Sequence, residues 1–192
     1  MALTIPVIYG SVRHHRKGIG AARWVAARLA ERGHEAPLID PLERALPLLD
    51  RMYKEYAAGE APAVLEELAT LYRRADAFVV VSGEYNHGVP PALSNLLDHF
   101  LEEYYFRPSG IVCYSAGSFG GVRAAMALRA MLAEMGMPSI SSIFPIPRVG
   151  QAFAEDGTTE DPAWAERSTK FFTELEWYAE ALKAKRAKGT PF

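Results

Sequence analysis

Between Ala77 and Phe100 the hydrophobic pattern changes its period within a few residues. Phe78 to Val81 is an unbroken apolar run rich in β-branched side chains and too short for a helix. Such a run predicts a strand buried on both faces, as in a parallel sheet. From Leu93 the apolar positions become Leu93, Leu96, Leu97, Phe100 and Leu101, the spacing of one helical face. Pro90 and Pro91 stand at the start of that helix, where a missing N–H costs nothing. The polar stretch Ser82 to Val89 therefore joins the carboxyl end of a strand to a helix. In open α/β sheets, ligands bind there.

The same alternation runs through the chain. Leu3 to Tyr9 reads as a first strand, and a first helix follows from Gly18 to Arg32, with Ala22, Val25, Ala26 and Leu29 on one face and Gly33 as its stop. Glu35 to Ile39 reads as a second strand, and Pro37 favours a sheet edge for it. Pro41 to Gly59 has no readable period. Val64, Leu65, Leu68, Leu71 and Tyr72 predict a second helix introduced by Pro62. After the central strand and helix come a strand over Gly110 to Ser115, a helix over Val122 to Met135 closed by Gly136, and a strand over Ser139 to Phe144. A polar segment, Gly150 to Asp161, leads to a last helix carrying Phe171, Phe172, Leu175, Tyr178 and Leu182. Lys183, Lys185 and Arg186 end it, where cations suit the helix dipole. Five strands alternating with five helices predict an α/β fold, a doubly wound parallel sheet in one domain over residues 1–192. Periodicity does not give the strand order.

Composition narrows the functional classes. A hydrophobic content of 49% suits one substantial core, and a formal charge of −2 gives no electrostatic case for a nucleic-acid or membrane partner. Cys113 is the single cysteine, which excludes an internal disulfide and a cysteine-clustered metal site, and no metal is expected. No run approaches the ~18 apolar residues of a membrane span. Met1 to Thr4 lacks a basic region followed by an apolar core, so a cytoplasmic location is expected.

Three loops follow strands. Gly10 to Gly20 offers the Ser11 hydroxyl, Arg13, Arg16 and Lys17 at the mouth of a helix. Helix-terminus amides and charge-assisted bonds hold phosphate well, though the spacing matches neither a Walker loop nor G-x-G-x-x-G. A solvated basic turn is the competing reading. Gly83 to Gly88 can present backbone amides and carbonyls to a planar ligand, or can be an ordinary turn in which Asn86 and Gly88 tolerate unusual dihedrals. Ser115 to Gly121 is a run of small residues with Phe119 among them, opening a helix and allowing close backbone approach to a ligand or a neighbouring strand. His14 and His15 read as solvent-facing, His34 and His99 as structural, and Cys113 as a small apolar core residue.

Together these loops resemble the NADPH-dependent FMN reductases of the flavodoxin-like superfamily. Gly10-Ser11-Val12-Arg13 resembles their G-S-x-R phosphate loop. Glu84-Tyr85-Asn86 with Pro91-Ala92-Leu93 and Asn95 to Asp98 resembles P-E-Y-N…P-x-x-L-K-N-x-x-D. Ser115-Ala116-Gly117 with Gly120-Gly121 and Arg123 resembles S-x-G-x-x-G-G-x-R. Gly83 replaces the usual proline, Ser94 the lysine, and Arg16 and Lys17 fall where many members carry Ser and a nearby Asn, which implies a more cationic phosphate pocket.

The resemblance implies a flavodoxin-like five-stranded sheet of order 2-1-3-4-5 with helices on both faces and the flavin at the switch between strands one and three. It implies FMN as cofactor, NADPH or NADH as co-substrate, and a ping-pong transfer to a small-molecule acceptor: a quinone, free flavin, azo compound or metal oxyanion. Ser11, Arg13, Arg16, Gly18, Ile19 and Gly20 are the expected phosphate residues. Gly83, Glu84, Tyr85, Asn86 and His87 are expected to border the ring through backbone atoms, and Ser115, Gly117, Ser118 and Gly120 to flank it. No side chain is expected to act as a catalytic acid or base, because the cofactor carries the chemistry. A homodimer or dimer of dimers is also expected. Besides the resemblance, three consecutive aromatics, Tyr104, Tyr105 and Phe106, leave a helix end where at least one should face solvent. An electron carrier without NAD(P)H turnover and a non-enzymatic binding domain of the same fold are the alternatives.

Overall fold

The computed structural model describes residues 1–192. The apolar runs form β1 (Val7–Tyr9), β2 (Leu38–Ile39), β3 (Phe78–Ser82), β4 (Ser109–Tyr114) and β5 (Ser139–Ile146), all parallel, in the order β2-β1-β3-β4-β5. The helices are α1 (Gly18–Glu31), α2 (Ala63–Arg74), α3 (Pro91–Asp98), α4 (Val122–Glu134), α5 (Val149–Ala152) and α6 (Ala163–Arg186).

Every residue of β3 is buried because the strand feeds two cores. Alternate side chains leave a strand on opposite faces. Val79 and Val81 join Val7, Tyr9 and Val112 under α1 and α6, where Trp24, Val25, Leu29, Phe171, Phe172 and Leu175 close the layer. Phe78 and Val80 join Ile8, Ile111 and Cys113 under α2, α3 and α4, against Leu68, Tyr72, Leu93, Leu97 and Leu128. The continuous apolar run is thus two interleaved faces. The expected order and the helices on both faces are what the structure shows.

Several boundaries differ from expectation. Pro6 has no N–H, and β1 starts only after it; Thr4 makes an isolated bridge to Glu35. β2 has two residues and lies at the edge, as Pro37 suggested. The helical spacing after Leu93 runs past the real end of α3 at Asp98; Phe100 is still buried, but Leu101 is far from helical, at φ −148° and ψ −68°. The four-residue α5 was not foreseen, being too short to show a period. In α6 the buried stripe is Trp164, Ser168, Phe171, Phe172, Leu175 and Ala179, and Tyr178 falls off it, 40% exposed.

The aromatic triplet is also corrected. Tyr104 is fully buried, while Tyr105 and Phe106 are half-buried and pack on Phe192, with ring centroids 5.4 and 5.0 Å away. The divergence expected of helical neighbours does not apply, because a 3-10 turn ends at Tyr104 and Phe106 is left-handed at φ 59°. None of the three is left fully exposed, so this stretch gives little support to a dimer.

Candidate functional site

Because β1 pairs with β3 and β3 with β4, the loops after these strands lie side by side at the carboxyl edge of the sheet. Loop 1 (10–17) is built around its own amides. The N–H groups of Val12, His14, His15 and Arg16 meet no acceptor of the chain, and neither do those of Gly18 and Gly20 at the start of α1. Arg13 N–H is held by Ser11 Oγ at 3.4 Å. Lys17, the N-cap of α1, supplies no side-chain cap, and the first turn carries no acidic residue. A helix N-terminus left in this state is suited to an anion. Ser11 is buried, whereas Arg13, His14, His15 and Lys17 are exposed.

Arg16 behaves differently. Its guanidinium pairs through Nη1 with Asp40, a carboxylate only 2% exposed at the end of β2, and also reaches the Ser11 carbonyl at 3.4 Å. It lies 5.6 Å from the centre of the Tyr9 ring. Its charge is offset by Asp40, so the cations of this loop without a carboxylate partner are Arg13 and Lys17, and Arg16 has only its remaining N–H groups to offer a ligand. Asp40 Oδ2 is buried without a partner. Beneath the loop, Tyr114 donates to Tyr9 Oη at 3.3 Å, and Tyr9 donates to the Arg16 carbonyl at 3.4 Å. Burial pushes both phenols above their ordinary range, so both remain protonated donors. Gly18 leaves room for the Tyr114 ring and Gly20 for the Ala154 carbonyl; a Cβ at either position would collide with them.

Loop 2 (83–90) is a tight turn. Tyr85 and Gly88 exchange N–H···O bonds of 3.1 and 2.8 Å around Asn86 and His87, both left-handed at φ 50° and 65°. Two positive φ values in succession define a type I′ turn, a conformation in which Asn and His are both enriched among residues with side chains. The tip residues Asn86 and His87 are exposed, and the guanidinium of Arg13 lies 5.9 Å from the Tyr85 ring, joining loops 1 and 2. The Glu84 carboxylate turns away from the tip. Its Oε2 accepts from the N–H groups of Arg123 (3.1 Å) and Ala124 (3.2 Å), the first turn of α4, and Oε1 lies 3.6 Å from Arg123 Nη1. Glu84 is thus a helix cap supplied from another loop. A Cβ at Gly83 would stand 3.2 Å from the Tyr114 ring, tight but adjustable.

Loop 3 (115–121) turns on Ser115, whose hydroxyl donates to the Gly117 carbonyl and accepts from the Gly120 N–H, both at 2.9 Å. Gly120 and Gly121 are left-handed at φ 66° and 77°, and a Cβ on Gly121 would lie 2.6 Å from the Tyr114 carbonyl oxygen, so glycine is required there. Gly117 and Ser118 are exposed, while Gly120 is buried.

These positions bring together all three groups of expected residues on one edge, with Ile19 buried behind them. The chain matches the family described as NADPH-dependent FMN reductase over residues 3–151. It belongs to that family. It is 31% identical over 145 residues to a quinone reductase of Pseudomonas putida, covering 70% of this chain and 72% of the relative. It is 30% identical to an NADPH azoreductase of a Bacillus species, covering 68% and 69%. In fold it resembles FerB, a flavoenzyme NAD(P)H:acceptor oxidoreductase from Paracoccus denitrificans, with a TM-score of 0.69 at 21% identity over 95% of this chain and 98% of that one. The chain is therefore a flavodoxin-like enzyme whose cofactors are FMN and NAD(P)H. The residues present fit FMN: one end of the site offers unpaired amides to a phosphate, and beside it loop 3 has open space at Gly117, where a Cβ would meet no atom within 4 Å.

Sequence reasoning missed Asp40, Tyr9 and Tyr114. A polar residue directly after a two-residue strand was the available signal for Asp40. The tyrosines gave none, because they read as strand apolars. His34, bonded to Glu176 at 3.0 Å, and His99, bonded to the Asn95 carbonyl at 2.7 Å, are structural as expected. Cys113 is fully buried, and burial pushes its thiol up to about 12.

Proposed function

We propose that this chain is an NAD(P)H-dependent FMN oxidoreductase that works by double displacement, reducing a quinone-type acceptor: NAD(P)H, a proton and the quinone give NAD(P)+ and the hydroquinone. The observation that supports it most directly is the uncapped N-terminus of α1, with its unpaired loop amides, beside two glycine-containing loops. Ser11, Arg13 and the unpaired amides between Val12 and Gly20 are the groups that would hold the cofactor phosphate, with Arg16 braced on Asp40 beside them. Backbone atoms of Gly83 to His87 and of Ser115, Gly117, Ser118 and Gly120 would border the ring. Bound FMN supplies the hydride acceptance and the electron donation, so no side chain here need titrate during turnover. Quinone is favoured over azo compounds, free flavin or metal oxyanions because several relatives carry that name.

The functional unit in this reading is a homodimer or dimer of dimers. Its support is an exposed apolar groove of about 290 Å³ beside loop 1, lined by Val12, Pro41, Leu46, Leu48, Pro91 and Leu96, which a second copy would cover. Sedimentation of the FMN-loaded protein as one species near 21.2 kDa would exclude it.

Two measurements test the rest. Flavin fluorescence quenching should show FMN bound far more tightly than riboflavin, and equal affinities would remove the phosphate site. Initial rates with NADPH and a quinone should give parallel double-reciprocal lines. Intersecting lines would rule out double displacement.

A further inference from the structure

Loop 3 holds a side chain that the FMN contacts proposed above do not use. Phe119 stands 64% exposed between the open loop and Gly120. An aromatic ring in water forgoes the burial that makes such side chains valuable. This ring is nevertheless held in place. The Arg123 guanidinium lies 4.6 Å from its centroid, and the same guanidinium reaches Glu84 Oε1 at 3.6 Å. Glu84 is itself fixed by two amides of α4. The succession Glu84, Arg123, Phe119 therefore sets the ring on the side of loop 3 that faces loop 2. Around Gly117, two residues earlier, there is open space: a Cβ there would meet no atom within 4 Å. The cation occupies one side of the ring and polarises it, leaving the remaining aromatic surface for a planar partner.

We propose that Phe119, backed by Arg123, is the stacking platform that selects planar aromatic acceptors over small non-aromatic ones. The proposal rests on the oxidoreductase reading above and gives that reading its substrate class. A ring laid against Phe119 gains offset stacking and apolar burial, which a compact inorganic acceptor cannot. The Arg123 N–H groups beside it can donate to a carbonyl oxygen on such an acceptor.

The test uses FMN-loaded wild type, Phe119→Ala and Phe119→Trp, with NADPH as reductant and a naphthoquinone or ferricyanide as acceptor. In Phe119→Ala the ratio of kcat/KM for naphthoquinone to that for ferricyanide should fall about tenfold, mainly through KM, the range of one lost stacking contact. Phe119→Trp should keep the ratio within about twofold, as a ring of the same character. FMN affinity, read by fluorescence, should be unchanged in both variants. An unchanged ratio in Phe119→Ala overturns the platform, and so does weakened FMN binding, which would make the ring a cofactor contact. Wild type that turns over neither acceptor overturns the oxidoreductase reading itself.

Discussion

At the amino edge of the sheet, Asp76 accepts from the Thr4 N–H at 3.1 Å, from Lys183 Nζ at 2.8 Å and from Arg186 Nη2 at 3.3 Å. Nearby Arg107 donates to the carbonyls of Ala75, Arg73 and Tyr105, and burial followed by the neighbouring Arg186 pulls its pKa down to about 10. At the carboxyl edge the ingredients are alike and the outcome is opposite. The Arg13 guanidinium has no carboxylate partner and lies by the Tyr85 ring, the N–H groups of Val12, His14, His15 and Arg16 have no acceptor, and Asp40 keeps one buried oxygen unpaired. The amino edge pairs its charges and its N–H groups within the chain; the carboxyl edge pairs Arg16 with Asp40 but leaves loop amides without an acceptor. Free amides at a helix N-terminus suit an anionic group, so the carboxyl edge is where a ligand belongs.

Substitutions at each edge should therefore separate stability from binding. The largest effect is expected for Asp76→Ala, which strands two cations: folding stability should fall by about 3 kcal/mol, the low end for a broken buried pair because Lys183 is 38% exposed. Urea denaturation reads this, and FMN affinity should stay as it was. A loss of FMN affinity without destabilisation would erase the distinction between the edges. Arg13→Ala should do the reverse, weakening FMN by about 1.5–3 kcal/mol with the FMN-free protein equally stable. Fluorescence titration and thermal melting together check it. Glu84→Ala lies between the two, because the carboxylate caps α4 while belonging to loop 2. A loss of about 1 kcal/mol in stability is expected, with Glu84→Gln retaining part of it. If FMN binding alone changed, the cap assignment would be wrong.

The smallest effect at neutral pH concerns Cys113. Its thiol is raised from 9.0 to about 12 by burial, so the native protein should resist thiol-directed reagents that label the urea-unfolded chain. A raised folded value means the unfolded state releases its proton first as pH rises. The contribution is complete below pH 9.0 and is lost between there and about pH 12. An alkaline stability profile that is the same in Cys113→Ala would refute this.

Much of this molecule was legible along the chain. Phe78 to Val81 read as a doubly buried strand, and the shift to helical spacing at Leu93 located loop 2 between them. Periodicity also gave α1 and α4 to within a residue and located α2 and α6, because an amphipathic face repeats whatever it packs against. Ser11-Val12-Arg13 and Ser115 to Gly121 were visible as loop chemistry, since glycines and hydroxyls after a strand stand out without any partner in view. What the pattern missed was short or non-repeating: α5, the true end of α3, and the left-handed turn at Phe106.

The strand order came from family resemblance, not from spacing, and the hydrogen-bonded ladders show it directly. The partners of individual groups were decided only in three dimensions. Arg16 read as a phosphate ligand and is paired with Asp40, 24 residues away. Glu84 read as bordering the flavin through its backbone, and the use of its carboxylate, to cap a helix 39 residues further on, did not show in the sequence. Gly18 and Gly20 read as phosphate residues, and their bare Cα positions also accommodate Tyr114 and Ala154. The physical reason is the same in each case. Hydrophobic periodicity is a local property, written in the spacing of side chains along one element. A hydrogen bond, a cap or a close contact depends on which distant element the fold sets alongside, and no local pattern records that.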